Sequence, residues 1–300
     1  MFSILIPTLN NFQYLKLCID SIKKNSRYNN EIIVHSNVGT DKTLEYLNVN
    51  KIKFTHTIEN SGICKGVNIA AKKATFDYLL YSHDDFYFCP DWDEILNNEV
   101  RKIGHNFFYL SGTMINNGQI NFNCGNTIDE FDEKKFLQNY KKYNIYDFQG
   151  TTWAPYLIHK DVWNKVGGFS EEFFPGTGSD PDLNLKLWNL GIRIFKGINN
   201  FKVYHFGSVV TRRIKNNSKH ITQSGSRGGK IFLLKWGMSI KFFTKFYLKG
   251  CVTLNNILIC NKYNGPLDDP VKNLNFYFYL LLDKIKFIYY RFFIKLITNE

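Results

Sequence analysis

What this 300-residue sequence lacks narrows its reading at once. It has no CxxC pair. Its six cysteines, at positions 18, 64, 89, 124, 251 and 260, are scattered, which excludes a zinc module and predicts a reducing compartment without a disulfide framework. It has no uncharged apolar run long enough to cross a bilayer, so no transmembrane helix is expected. No basic stretch precedes the apolar start, so no signal peptide is expected and the reading is a cytoplasmic protein. Neither GxGxxG nor GxxxxGK(S/T) occurs, which disfavours a dinucleotide fold and a P-loop. Acidic side chains run short at one end only. Residues 1–211 carry 22 basic and 22 acidic groups, whereas residues 212–300 carry 16 basic and four acidic, the whole of the net +12. A neutral body with a basic tail suggests a phosphate-rich or anionic partner for the tail.

Hydrophobic residues make up 44% and aromatics 17%, enough to bury a full core. Along the first eighty or so residues, short apolar runs alternate with helical stripes. Phe2 to Pro7 reads as a strand closed by its proline. Tyr14 to Ile22 reads as a helix, Glu31 to Val34 as a strand, Thr43 to Leu47 as a helix and Lys53 to Thr57 as a strand. A helix with a small face (Gly66, Ala70, Ala71, Ala74) then leads into the strand at Tyr78. That alternation predicts a parallel, doubly wound α/β half.

Ligands of open α/β sheets collect outside the carboxyl ends of the strands. The polar loops at those ends hold Thr8 and Asn10, Asn37 to Asp41, Asn60 to Lys65, and the pair Asp84-Asp85. Two adjacent acids at a strand end suit one hard cation, Mg²⁺ or Mn²⁺, and such ions arrive with phosphates. The bland alternative is a polar turn. Further on, Trp92 to Ile103 reads as an amphipathic helix, Phe107 to Met114 as a strand, and Ile128 to Tyr143 as charged surface. Thr151 to Ile158 reads as a strand carrying Trp153, and Ile192 to Phe195 as another. Ser179-Asp180-Pro181-Asp182 starts a helix with Asp180 as N-cap, by the preference for proline at the first helical position. Val203-Tyr-His-Phe-Gly places His205 between aromatics.

In this order the segments resemble an inverting family 2 glycosyltransferase of the GT-A fold, over residues 1–210. Ser3-Ile-Leu-Ile-Pro-Thr-Leu-Asn10 resembles that family's first strand and nucleotide loop. Glu31-Ile-Ile-Val with Gly39-Thr-Asp-Lys-Thr43 resembles the second, and Asn60-Ser-Gly with Asn68 the third. Tyr81-Ser-His-Asp-Asp-Phe86 sits where the family carries its metal-binding Asp-X-Asp motif. Val166-Gly-Gly-Phe-Ser-Glu-Glu-Phe-Phe174 and Gly178-Ser-Asp-Pro-Asp182 resemble the segment that holds the catalytic base.

The resemblance implies Asp180 as base and Asp85 with His205 as metal ligands for Mn²⁺ or Mg²⁺. It implies donor contacts from Pro7, Thr8, Asn10, Asp41, Asn60, Gly62, Lys65 and Asp84. The donor would be a nucleotide-sugar, UDP-linked first and GDP- or dTDP-linked otherwise, and the acceptor a hydroxyl of a glycan or glycoconjugate. Three positions depart from the pattern: Ser36 for a base-reading aspartate, His83 for the first acid of the motif, and Ser179 for a glutamate beside the base. They motivate a second reading, a catalytically inactive sugar- or nucleotide-binding module. A nucleotidyltransferase would carry a Gly-rich basic loop after its first strand, and Pro7-Thr8-Leu9-Asn10 is none. A nucleic-acid binder would not need four converging loops.

Residues 211–300 read as a basic, aromatic-rich helical extension. Arg212 to Lys219 reads as a flexible link, and Ser224 to Lys230 as a loop from which Arg227 and Lys230 reach donor phosphates or solvent. Leu274 to Ile297 is aromatic but punctuated by Asp283, Lys284, Lys286, Arg291 and Lys295, and Lys284, Arg291 and Lys295 share one helical face, which suits a helix lying on a membrane surface. The alternative is a helix packed on the body or on a second copy of the chain.

Overall fold

A computed structural model describes residues 1–207, 222–254 and 257–293. The expected alternation is present: β1 (Phe2–Leu9), α1 (Phe12–Asn25), β2 (Glu31–Asn37), α2 (Thr43–Val49), β3 (Lys53–Thr57), α3 (Gly62–Ala71) and β4 (Tyr78–Tyr81). These four strands run parallel in the order β3-β2-β1-β4. α1 buries Leu15, Cys18, Ile19 and Ile22, the i, i+3, i+4, i+7 stripe of its sequence. α3 lies close to β2 because Gly66 has no side chain; a Cβ there would stand 2.5 Å from the His35 ring.

β1 does not close at Pro7 but runs on to Leu9. Leu5 accepts from the Ser82 amide on the β4 side of β1, and β1 pairs with β4 only as far as Tyr81. Pro7 faces the same side as Leu5, beyond the last paired residue, so its missing N–H costs no ladder bond.

The second half adds β5 (Phe86–Phe88), α4 (Trp92–Ile103), β6 (Phe108–Ile115), α5 (Glu133–Asn139), β7 (Phe148–Gln149), β8 (Tyr156–His159), α6 (Lys160–Lys165), α7 (Ser179–Asn189) and β9 (Ile194–His205). β8 inserts antiparallel between β4 and β6, and β9 runs parallel to β6 and antiparallel to β5. The result is a mixed nine-stranded sheet, β3-β2-β1-β4-β8-β6-β9-β5 with β7 on β9, flanked by helices. This is the GT-A architecture.

Several local expectations are corrected. The strand expected from Thr151 starts only at Tyr156, after Ala154-Pro155. The strand expected from Ile192 to Phe195 starts at Ile194 and runs on to His205 as one 12-residue strand. Ile128 to Tyr143 is not all surface: Phe136 and Tyr140 are buried with Tyr87, Tyr204 and Phe206 in a second apolar cluster.

Beyond the sheet lie α8 (Thr222–Trp236), α9 (Ile240–Phe243), the hairpin β10 (Val252–Leu254) and β11 (Ile257–Ile259), and α10 (Leu274–Ile288). Cys251 and Cys260 flank that hairpin and are bonded to each other, while the other four cysteines are free and buried. Nine residues of separation conceal a pair that the antiparallel pairing of β10 with β11 brings together. The expected boundary after residue 210, and the link Arg212 to Lys219, lie outside the described residues. No helix among the described residues is long and apolar enough to cross a membrane.

Candidate active site

The carboxyl ends of β1 and β4 are neighbours, so their loops meet. Thr8 Oγ1 donates to Asp84 Oδ2 at 2.6 Å, inside the protein. Asp85 follows, buried, and the β5–β9 pairing sets Phe86 opposite His205. That register brings His205 Nε2 to 3.7 Å from Asp85 Oδ2. The far side of the ring is held by Asn117, whose carbonyl lies 3.2 Å from Nδ1 and whose amide donates to the His205 carbonyl at 3.1 Å. A carbonyl can only accept, so a hydrogen bond there needs the proton on Nδ1, the tautomer that would leave Nε2 able to bind a cation.

His83 joins this pair. Its ring stacks on Phe86 with centroids 4.9 Å apart and lies 6.2 Å from the His205 ring. Burial pushes its pKa down to about 4, which keeps the imidazole neutral. His83, Asp85 and His205 each offer one ligand atom, all within 4.8 Å of one another. Bonds of roughly 2.0–2.2 Å hold donors up to about 4.4 Å apart on one ion, so the cluster fits a single divalent cation after a small closure. Two imidazoles and one carboxylate suit Mn²⁺ and its later neighbours better than Mg²⁺.

Asp180 lies on α7, but not as its N-cap. Gly178, with φ of 88°, takes that position, the helix starts at Ser179, and Pro181 falls within the first turn, where a missing N–H breaks no helical bond. Asp180 Oδ1 is shielded from solvent and has no hydrogen-bond partner among the described residues. Burial raises this carboxyl to about 7, a rise partly opposed by the Tyr156 hydroxyl. Tyr81, Tyr109 and Tyr156 wall it in, their phenols pushed well above 10 by burial first and by Asp180 next.

The two clusters form one site. The Tyr81 ring lies 5.5 Å from that of His83 and 5.1 Å from that of Tyr156, and its hydroxyl feels Asp180, Asp84 and Asp85 together.

The remaining expected residues fall on the same edge. Asn10 is left-handed, with φ of 46°, and its side chain pairs with Thr40. Asn60 accepts from the Gly62 amide, and Gly62 takes φ of 77° against Phe174. Lys65 is exposed on α3. Asp41 spends both oxygens on backbone, accepting from the Phe12 amide at 2.9 Å and the Thr43 amide at 3.0 Å. Its visible work is to fix the starts of α1 and α2. Ser36 is fully buried. Ser179 donates to the Gly176 carbonyl. Trp153 packs beside Phe148 and the cysteine pair.

The stretch from Ser224 to Lys230 is not a loop. It lies in α8, with Arg227 exposed and Lys230 over the Tyr290 ring at 5.3 Å. α8 presses on the loop before α7: a Cβ on Gly228 would stand 2.1 Å from the Thr177 carbonyl. At its end Lys235 and Trp236 bind Asp182, at 2.9 and 2.8 Å. His83, the three tyrosines, Asn117 and this clamp were not assigned roles from sequence. Asn117 and His205 are 88 positions apart, and no local pattern connects them.

A family model described as glycosyl transferase family 2 matches residues 3–157, just over half of the chain. The chain is 26% identical over 244 residues to chondroitin synthase of Escherichia coli, covering 76% of this chain and spanning a third (33%) of that relative's length. Among solved structures it resembles S. aureus TarS 1-349 (TM-score 0.54, 17% identity, 77% of this chain and 71% of that one), a protein also solved with UDP-GlcNAc. It also resembles GalNAc-T7 with UDP, GalNAc and Mn²⁺ (TM-score 0.53, 15% identity, 68% of this chain and 43% of that one). With half its length matched by the family model and the fold shared with these structures, the chain belongs to glycosyl transferase family 2.

Proposed function

We propose that this glycosyltransferase moves a sugar from a UDP-sugar to a hydroxyl of a glycan or glycoconjugate, with inversion and with a divalent cation. The observation that carries the reading is Asp180. A shielded carboxylate with an unpaired Oδ1, poised near neutrality beside a metal-competent cluster, is what a general base requires.

Asp180 takes the proton of the acceptor O–H as that oxygen attacks the anomeric carbon. The new C–O bond forms as the bond to the diphosphate breaks, and the nucleoside diphosphate departs from the opposite face. A single displacement without an enzyme nucleophile inverts the configuration. His83, Asp85 and His205 would hold the cation, Mn²⁺ before Mg²⁺, which when bound neutralises charge on the leaving diphosphate. Pro7, Thr8, Asn10, Asn60, Gly62 and Lys65 line the donor edge, with Asp84 held by Thr8 and Asp41 fixing the loops, a matter of positioning. UDP is favoured over GDP and dTDP because UDP accompanies TarS and GalNAc-T7 in their solved complexes.

The test is donor turnover. Purified protein is given UDP-, GDP- and dTDP-sugars with Mn²⁺ or with EDTA. Metal-dependent release of UDP, lost in Asp85→Ala, supports the reading. Metal-dependent nucleotide binding by calorimetry, with no turnover across an acceptor panel, would instead establish the inactive binding module.

A further inference from the structure

The C-terminal helix carries the clearest unassigned surface. α10 is anchored by one face. Asp283 is buried and accepts from the Ser239 amide at 2.7 Å, and Phe276, seven residues earlier, packs on Phe242 and Phe246. Lys245 closes over the Tyr279 ring at 3.9 Å. The opposite face is apolar and open. Leu274, Phe278, Leu281, Ile285 and Ile288 are 52–90% exposed.

At 100° per residue these side chains, with Tyr277 and Leu282 at the margins, span an arc of about 140°. Basic residues stand at both borders, Lys284 on one and Lys286 on the other, each exposed. The only acid of the helix is Asp283, turned inward. An exposed apolar patch of this kind marks an interaction surface.

Two occupants compete for it. The five core positions follow a four-three spacing that a second copy of α10 could mesh with. Such a pair would set Lys284 and Arg291 of one copy beside those of the other or beside apolar residues, with no outward acid to answer them. The arc is also wider than a two-helix seam. A surface of negative headgroups over acyl chains answers both the basic borders and the broad apolar face. The excess of 16 basic over four acidic groups in residues 212–300 extends the same complementarity.

We infer that α10 lies in the plane of an anionic lipid surface, its Leu274–Ile288 face in the acyl boundary and its lysines at the headgroups. This rests on the helix and its charge, not on the donor or acceptor reading.

The test is flotation of the whole protein with phosphatidylglycerol–phosphatidylcholine vesicles, with light scattering of the free protein alongside. The wild type floats with these vesicles and remains behind with phosphatidylcholine alone. Leu281→Glu and Ile285→Glu, both solvent-exposed, each lower vesicle affinity by about tenfold or more with an unchanged circular dichroism spectrum. Lys284→Glu with Lys286→Glu lowers it further at low salt than at high salt. Absence of flotation, or equal binding to neutral vesicles, overturns the inference. So does a dimer of the free protein that Leu281→Glu dissolves, which assigns the face to a second copy.

Discussion

The indole Nε1 of Trp236 donates to Asp182 at 2.8 Å, tying α8 to the helix that carries Asp180. Lys235 at 2.9 Å and the Ser170 hydroxyl at 2.6 Å complete the grip on a carboxylate with no exposed surface. Two residues of helix turn the side chain by roughly 200°, so Asp182 faces the clamp and Asp180 faces the tyrosine-lined pocket. The same helix thus holds one acid that is fully paired and one whose Oδ1 has no hydrogen-bond partner among the described residues.

Trp236→Phe removes a hydrogen bond to a buried charge and trims the indole to a single aromatic ring. It should cost about 1.5–3 kcal/mol, measured by urea unfolding. Asp182→Asn should cost more, because it strips the charge that Lys235 and Lys186 share.

Asp180→Asn should lower sugar transfer on the order of 10²–10⁴-fold, the usual worth of a general base, with UDP binding by calorimetry unchanged. Its effect on stability runs the other way. Burial holds the carboxyl at about 7, above the ordinary 3.8. The folded state therefore keeps a proton that the unfolded chain gives up, and stability falls as pH rises through that window. Asp180→Asn should raise the melting temperature at pH 8 and leave it unchanged near pH 4. Equal shifts at both pH values would contradict this.

The pH profile of kcat should rise with an apparent pKa of about 7, since only the ionised Asp180 accepts a proton. A profile already flat from pH 5 to 8 would point to another base.

His83→Asp should move metal preference towards Mg²⁺ by exchanging an imidazole for a carboxylate. His83→Ala should weaken Mn²⁺ binding by about 10-fold or more, on the scale of lost coordination contacts. Both are read by titration calorimetry with the metal and UDP, without reliance on turnover.

The half of the fold from β1 to β4 is legible because β1, β2 and β4 carry apolar runs and α1 and α3 show a stripe or a small face, whereas the polar β3 follows from the alternation alone. The strand ends then placed Thr8, Asn60 and Asp84 on one edge without further information. What could not be read depends on distant pairing. His83 looked like a lost ligand because the β5–β9 register, which brings up His205, leaves no trace near residue 83. Phe136 and Tyr140 sit in a charged stretch, yet meet Tyr204 across more than sixty positions. Gly225, Gly228 and Gly229 argue for a loop by propensity, and tertiary contact overrides them: the missing side chain at Gly228 is what lets α8 rest on Thr177. The cysteine pair escaped for a related reason, since a hairpin, not a motif, joins it.

α8 is gripped at Gly228 and at Trp236 by the segment around Asp180, and through Lys230 it touches Tyr290, just past α10. Gly228 and Lys230 are two positions apart, so one turn of α8 carries both contacts. The loop before α7 and the segment past α10 therefore share one seat on α8.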